Sequence, residues 1–239
     1  MKKFELTTNT KMFLGKKLFQ IKALINFGDV EAGELGGYIE KEENLDYDGD
    51  AWVYGNACVS GNACVSGNAC VSGNARVSGN ACVSGDACVY GDACVSGNAC
   101  VSGNACVSGN ARVYGDACVY GDARVYGDAC VYGDACVSGN ACVYGDACVY
   151  GDARVYGDAW VYGDACYTTI KGFGREYRTT TFFKCKDGKV RVQCGCFYGD
   201  LEEFRAIVKK THGESKKAKE YLMIADLMEL HFEENENDK

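Results

Sequence analysis

Proline is absent from the 239 residues, histidine occurs only twice, and no apolar run approaches the length of about 20 residues that a membrane-spanning helix needs. The amino terminus, Met1-Lys-Lys-Phe-Glu-Leu-Thr-Thr-Asn-Thr, carries two lysines but no apolar segment, which argues against a secretory signal. Positive charge is also short. Lys and Arg number 25 against 33 Asp and Glu, a net charge of −8. A chain so balanced is not expected to bind nucleic acid directly through phosphate neutralisation, nor to be drawn to an anionic membrane. The glycines between Gly28 and Gly37 are irregularly spaced and no Lys-Ser/Thr follows them, so they do not form a phosphate-binding loop. What the chain has in excess is glycine (31), cysteine (17) and tyrosine (16). With no export signal, so many thiols are expected to stay reduced in a cytoplasm and not to pair in a secreted disulfide framework.

From Ala51 to Asp164 the sequence is an unbroken hexapeptide array, Ala-x-Val-[Ser/Tyr]-Gly-[Asn/Asp], of 114 residues or 19 copies. A further copy starts at Ala165-Cys166 and fails at Tyr167. A fixed period of this kind indicates a solenoid, in which each unit buries its apolar face only by stacking on its neighbours. Within one unit Ala and Val lie two residues apart and point to one side of an extended segment, while x and Ser/Tyr point to the other. The Gly-Asn or Gly-Asp pair supplies a corner where positive φ is tolerated. Three corners close a triangular coil of 18 residues with Val and Ala inside. The spacing of an aliphatic residue and a small residue four positions later, as in Val53 and Ala57, follows the pattern of left-handed parallel β-helices. The expectation is therefore a mainly β chain: a left-handed triangular β-helix of about six coils. A right-handed coil and a two-sided coil of 12 residues are the rivals.

Folding in threes stacks residues 18 apart and assigns each outward position to a column. One x column reads Trp52, Cys70, Cys88, Cys106, Arg124, Cys142, Trp160; a second reads Cys58, Arg76, Cys94, Arg112, Cys130, Cys148, Cys166. The third holds five consecutive cysteines, Cys64, Cys82, Cys100, Cys118 and Cys136, before Arg154. Such a ladder could capture soft metals or cross-link on oxidation, although parallel Cβ vectors are poor for a disulfide and a flat row is poor for a tetrahedral site. The plain structural reading is repeat expansion, with Cys as a small half-buried hydrophobe. No cofactor is expected.

The other outward position changes along the array. It is mostly Ser early, and mostly Tyr later, with unbroken columns Tyr114, Tyr132, Tyr150 and Tyr126, Tyr144, Tyr162. The array holds ten Asp and four Arg, and eight of those Asp lie at Asp116 or beyond. A Tyr-rich, Asp-edged surface is a candidate face for a protein partner or for self-association into a homo-oligomer. Its structural alternative is a Tyr ladder that merely covers its own sheet.

The ends differ from the array. Residues 1–50 read as a β cap, with strands suggested at Phe4-Glu-Leu, Lys11-Met-Phe-Leu and Lys17–Leu24, and turns at Asn9 and Gly15. The solenoid is assigned to residues 51–169 and an α+β module to 170–239. That module reads as a hairpin around Asp187-Gly188, a helix over Leu201–Lys210, a second opening at Ser215, and an acidic tail, Glu233–Lys239. Cys185, Cys194, Cys196 and His212 are a weak candidate for a Cys₃His zinc site, since Cys-x-Cys is tighter than the usual spacing.

Phe27-Gly-Asp-Val-Glu-Ala-Gly-Glu-Leu-Gly-Gly-Tyr-Ile-Glu, followed by Gly49-Asp-Ala-Trp-Val-Tyr, resembles the entry motif of hexapeptide-repeat β-solenoid proteins, including the YdcK-like proteins of bacteria and their phages. Cys194-Gly-Cys-Phe-Tyr-Gly-Asp-Leu-Glu-Glu-Phe, with Thr211-His-Gly and Ala218-Lys-Glu-Tyr, resembles a tail module of uncharacterised phage and prophage proteins. The resemblance implies the fold and a phage or mobile-element origin, and no activity. Left-handed β-helices also include acyltransferases, which use a catalytic His and loops between coils, and γ-class carbonic anhydrases, which hold zinc on three His. Here His212 and His231 both lie outside a repeat that has no insertion. The chain is expected to be a non-enzymatic scaffold or interaction protein. The alternatives are an acidic, DNA-mimicking or inhibitory binder of a host protein, and thiol-based metal binding.

Overall fold

The computed structural model describes residues 2–163, 166–173 and 179–233. Asp164 and Ala165, at the failing end of the array, and the acidic tail from Glu234 onward lie outside the described residues.

Each hexapeptide forms a two-residue strand at x-Val, as at Cys64–Val65 and Cys82–Val83, then turns a corner; two strands run on, Arg112–Gly115 and Cys130–Gly133. Strands 18 residues apart pair in parallel with no offset, so Cys64 lies opposite Cys82 and Val65 opposite Val83. Three parallel sheets result. One has seven rungs from Trp52 to Trp160, one has six from Cys64 to Arg154, and the third has six solenoid rungs continued by three strands of the cap. The protein is thus a three-sided parallel β-solenoid, and the two-sided coil is excluded.

Backbone hydrogen bonds run along the axis from each unit to the next coil. The amides of Asn62, Cys64 and Ser66 donate to the carbonyls of Gly79, Ala81 and Val83 at 2.7, 3.0 and 3.0 Å. The Val and Ala of the array are buried in one continuous core along the rod. The corner needs its glycine for two reasons. Gly97 has a φ of 76°, and a Cβ there would lie 2.8 Å from the carbonyl oxygen of Gly115 one rung on.

The cap begins with β1 (Phe4–Phe13) and β2 (Lys16–Ala23), an antiparallel pair closed by the two-residue turn Leu14-Gly15. Asn9 is not a turn: β1 runs through it, and the sequence irregularity surfaces as a register shift between Leu6 and Thr10. β3 (Leu35–Ile39) joins β2 to the first solenoid rungs, pairing antiparallel with one and parallel with Cys58–Val59 on the other side. The cap also buries Trp52, which sits against the rings of Phe4 and Phe27 at 6.3 and 5.3 Å. Carbonyls at the open start of the rod find donors. The Lys3 ammonium donates to Gly49 and Ala51 at 3.1 and 3.0 Å, and the Asn44 amide to Gly61 and Ala63 at 3.1 and 2.8 Å.

The far end is closed by a four-stranded antiparallel sheet, Tyr167–Ile170, Thr180–Lys184, Val190–Cys194 and Phe197–Asp200. The boundary expected at residue 170 falls within its first strand. Tyr167, Phe183 and Cys185 share the rod's core, and the Thr181 hydroxyl accepts from the Arg154 amide at 3.1 Å. The hairpin around Asp187-Gly188 forms as expected. The other face of the sheet packs on α1 (Leu201–His212) and α2 (Lys216–Phe232) through Phe182, Val192, Phe204, Ile224 and Met228. Asp200 and Glu203 cap α1 reciprocally, each carboxylate accepting the other's amide at 2.9 Å. Ser215 caps α2. On α2, Leu227 and Leu230 are exposed, and Met228 and Phe232 point inward.

Candidate interaction surface

The two tyrosine columns are formed because parallel, in-register strands repeat a side chain at one rung spacing, about 4.8 Å. Tyr114, Tyr132 and Tyr150 stack with ring centroids 5.1 and 5.5 Å apart, the first pair within 3° of parallel. Tyr126 and Tyr144 stack at 5.2 Å; Tyr162 continues that column, and Trp160 from the adjacent x column also meets Tyr144, in tilted contacts at 6.0 and 5.9 Å. Tyr114, Tyr126, Tyr150 and Tyr162 are all more than one-third exposed, so one flank of each column remains open. Burial pushes the phenols of Tyr126, Tyr132 and Tyr144 up, and neighbouring ring hydroxyls add to the effect at Tyr132 and Tyr144.

Ser108, between Tyr90 and Tyr126, and Ser138, between Tyr120 and Tyr156, are buried, whereas Ser72, between Tyr54 and Tyr90, remains partly open. The corners carry a second ladder. Asn62 donates to Asn80 and Asn80 to Asn98, at 3.2 and 3.0 Å, then Asn98 to Asp116 at 2.8 Å. Below Asp116 that corner reads Asp134 and Asp152, with Lys171 from the C-terminal module ion-paired to Asp152. That ion pair holds the Asp152 carboxyl below its usual range.

The x columns fall in the expected order. Cys64, Cys82, Cys100, Cys118 and Cys136 are opposite one another on successive rungs, and their thiols are free and half-buried. Trp52 departs from its outward assignment because the cap covers it, and Cys58 is buried beside the same cap. Several thiols turn back to their own corner: Cys88 and Cys118 donate to the carbonyls of Asp86 and Asp116 at 3.8 and 3.7 Å.

The weak Cys₃His candidate in the tail does not assemble. Cys185 is buried in the rod's core, Cys194 accepts a hydroxyl hydrogen bond from Thr180 at 3.2 Å, Cys196 is exposed, and His212 stacks on Tyr221 at 5.9 Å. Among the described residues no three metal-ligating side chains converge. Burial raises the Cys185 thiol to about 11.

A feature invisible in the repeat is a cleft of about 780 Å³ where the module meets the rod. Its rod wall is Arg124, Tyr126 and Trp160, and its module wall is Lys186, Arg191 and Tyr198. Lys186 lies over the Trp160 ring at 5.7 Å, and Arg191 pairs with Asp187 at 2.7 Å. No motif signals it, because its walls come from segments that meet only in the fold.

The repeat model described as the YdcK β-solenoid repeat matches residues 69–85, 75–91, 117–133 and 147–163, all inside the rod. This chain is a β-solenoid repeat protein. The matched windows include rungs of both the Ser-rich and the Tyr-rich stretches, so the solenoid grammar is independent of what the outward positions carry. No curated protein matches the solenoid chain. No helix among its described residues is long and apolar enough to cross a membrane.

Proposed function

We propose that this β-solenoid is a non-enzymatic, rigid scaffold that presents its Tyr and Asp columns to a protein partner, and that copies associate through the same faces. The observation that carries the reading is the run of parallel, half-open tyrosine rings at rung spacing. Rigid aromatics lose little conformational entropy on burial and concentrate at interfaces. Two further features support a role without catalysis: both histidines lie in the C-terminal helices, and no loop interrupts the rod to build a general-base site beside a substrate. The 17 cysteines support a reducing, cytoplasmic setting. A phage or prophage origin rests on the resemblance of the entry motif and the tail module.

Light scattering of the reduced protein over a range of concentrations tests the reading. Concentration-dependent association is expected, and the triple variant Tyr114→Ser, Tyr132→Ser, Tyr150→Ser is expected to remain monomeric with an unchanged far-ultraviolet dichroism spectrum. A monomeric parent, or a triple variant that associates as the parent does, overturns it. The column Asp116, Asp134, Asp152 favours a second reading, an anionic rod that occupies a basic groove of a host protein. That reading requires binding that weakens steeply with salt and survives the tyrosine substitutions.

A further inference from the structure

The cysteine columns of the rod have a geometry that selects one ligand chemistry. The longest runs Cys64, Cys82, Cys100, Cys118, Cys136, each directly opposite the next. A shorter one runs Cys70, Cys88, Cys106, and Cys130 faces Cys148. Three thiols on the same rod have no thiol on either neighbouring rung: Cys58 lies between Tyr38 and Arg76, Cys94 between Arg76 and Arg112, and Cys142 between Arg124 and Trp160. Apart from the buried Cys58, these thiols are half-buried and partly accessible.

In-register parallel strands repeat a side chain at about 4.8 Å with the same orientation. A disulfide wants its Cβ atoms at about 3.5–4.5 Å and its sulfurs at about 2.05 Å, so bridging two rungs directly would pull the sheet together. A metal–thiolate bond is about 2.3 Å, so two such bonds in line span about 4.6 Å, close to one rung. A tetrahedral ion would need donors from several directions, and among the described residues no three converge. Thiolate selects soft ions.

We propose that the columns are a binding track for soft monovalent ions of the Cu(I) class, each ion held in line between the sulfurs of adjacent rungs and each inner sulfur shared by two ions. Filling is a proton exchange with no electron transfer. Five thiols and four monovalent ions give a chain of five thiolates and four ions with one net negative charge, releasing five protons. Burial, aided by the neighbouring thiols, raises Cys64, Cys70, Cys88, Cys100 and Cys118, so the empty columns carry little charge at neutral pH. The columns of five, three and two thiols offer four, two and one gaps.

The test is anaerobic titration of the full-length reduced protein with Cu(I) against bathocuproine disulfonate, a Cu(I) chelator, with retained ions counted by native mass spectrometry. The variant Cys82→Ser, Cys118→Ser leaves Cys64, Cys100 and Cys136 without adjacent thiols and is expected to retain four fewer ions than the parent. Cys100→Ser alone splits the column into two pairs and is expected to retain two fewer. Cys94→Ser with Cys142→Ser removes the same number of thiols as the first variant and is expected to retain as many ions as the parent. Thiols of the C-terminal module are common to all four proteins and cancel in the differences. Equal losses from the two double variants, or a parent that retains no ions against the chelator, would overturn the proposal. Far-ultraviolet dichroism confirms that each variant is folded, and the single Cys100→Ser variant keeps the test alive should a double variant not fold.

Discussion

The two halves of the rod share one interior and differ at two of their outward positions, the Ser/Tyr site and the corner. Val77 and Ala81 near the start are as fully buried as Val143 and Ala147 near the end, on the same backbone register. Outside, the first half carries Ser60, Ser78 and Ser96 where the second carries Tyr114, Tyr132 and Tyr150 in the same column. At one corner Asn62 and Asn80 each donate to the next rung, whereas further along the same corner Asp134 sits between Asp116 and Asp152 without an amide donor. The fold therefore places few demands on its surface. Backbone ladders, Val, Ala and Gly specify the coil, and the outward positions are free to serve recognition.

The largest effect expected from this difference is alkaline. In the second half burial holds the phenols of Tyr126, Tyr132, Tyr144 and Tyr156 above their usual value, and at the junction it holds the Cys185 thiol at about 11. These groups are neutral when folded and ionise more readily when unfolded. Their contribution is fully present below the unfolded values, about 8.5 for Cys and about 10 for Tyr, and is lost as pH rises through the folded ones. Phenolate absorbance during a pH titration should rise late and steeply, together with loss of dichroism. Independent phenols titrating near pH 10 in a folded rod would erase the distinction.

A smaller effect is expected at single rings. Tyr132 contacts two rings, so Tyr132→Ser should cost about 1–2 kcal/mol in urea denaturation, whereas Ser78→Tyr in the first half, with no ring above or below it, should change stability by less than about 0.5 kcal/mol. Equal and opposite values would mean that burial of one ring, and not stacking, matters. The smallest effect sits at the corners. Asp134→Asn relieves like charge and restores a donor, and should stabilise by about 0.5–1 kcal/mol; Asn80→Asp should destabilise by a similar amount. The two changes in melting temperature should have opposite signs, and a shared sign would refute the ladder account.

The rod was legible because its repeat has no insertion: one phase choice ordered every column, including five cysteines that the structure sets opposite one another. Legibility failed where contacts are non-local. Trp52 occupies an outward position by pattern, and only Phe4 and Phe27, far off in the chain, bring it inside. Asn9 carries a turn signal, but pairing with β2 across a shifted register overrides it. Cys185 and His212 looked like partners by residue type, yet one closes the rod and the other lies on a helix against Tyr221. The tyrosine columns were readable as columns, while their flanks and the adjoining cleft depend on how the tail module seats.

Because successive coils superpose residue on residue, the array acts as a ruler with an angular scale. Duplicating three hexapeptides would lengthen the rod by about 4.8 Å and leave the C-terminal module facing the same way relative to the cap. Duplicating one would add a third of that length and swing the module by a third of a turn. The present 19 copies fix both its distance and its bearing. Unequal copying of the repeat is thus a means of re-aiming one end of the protein against the other, with no change to the interior of either.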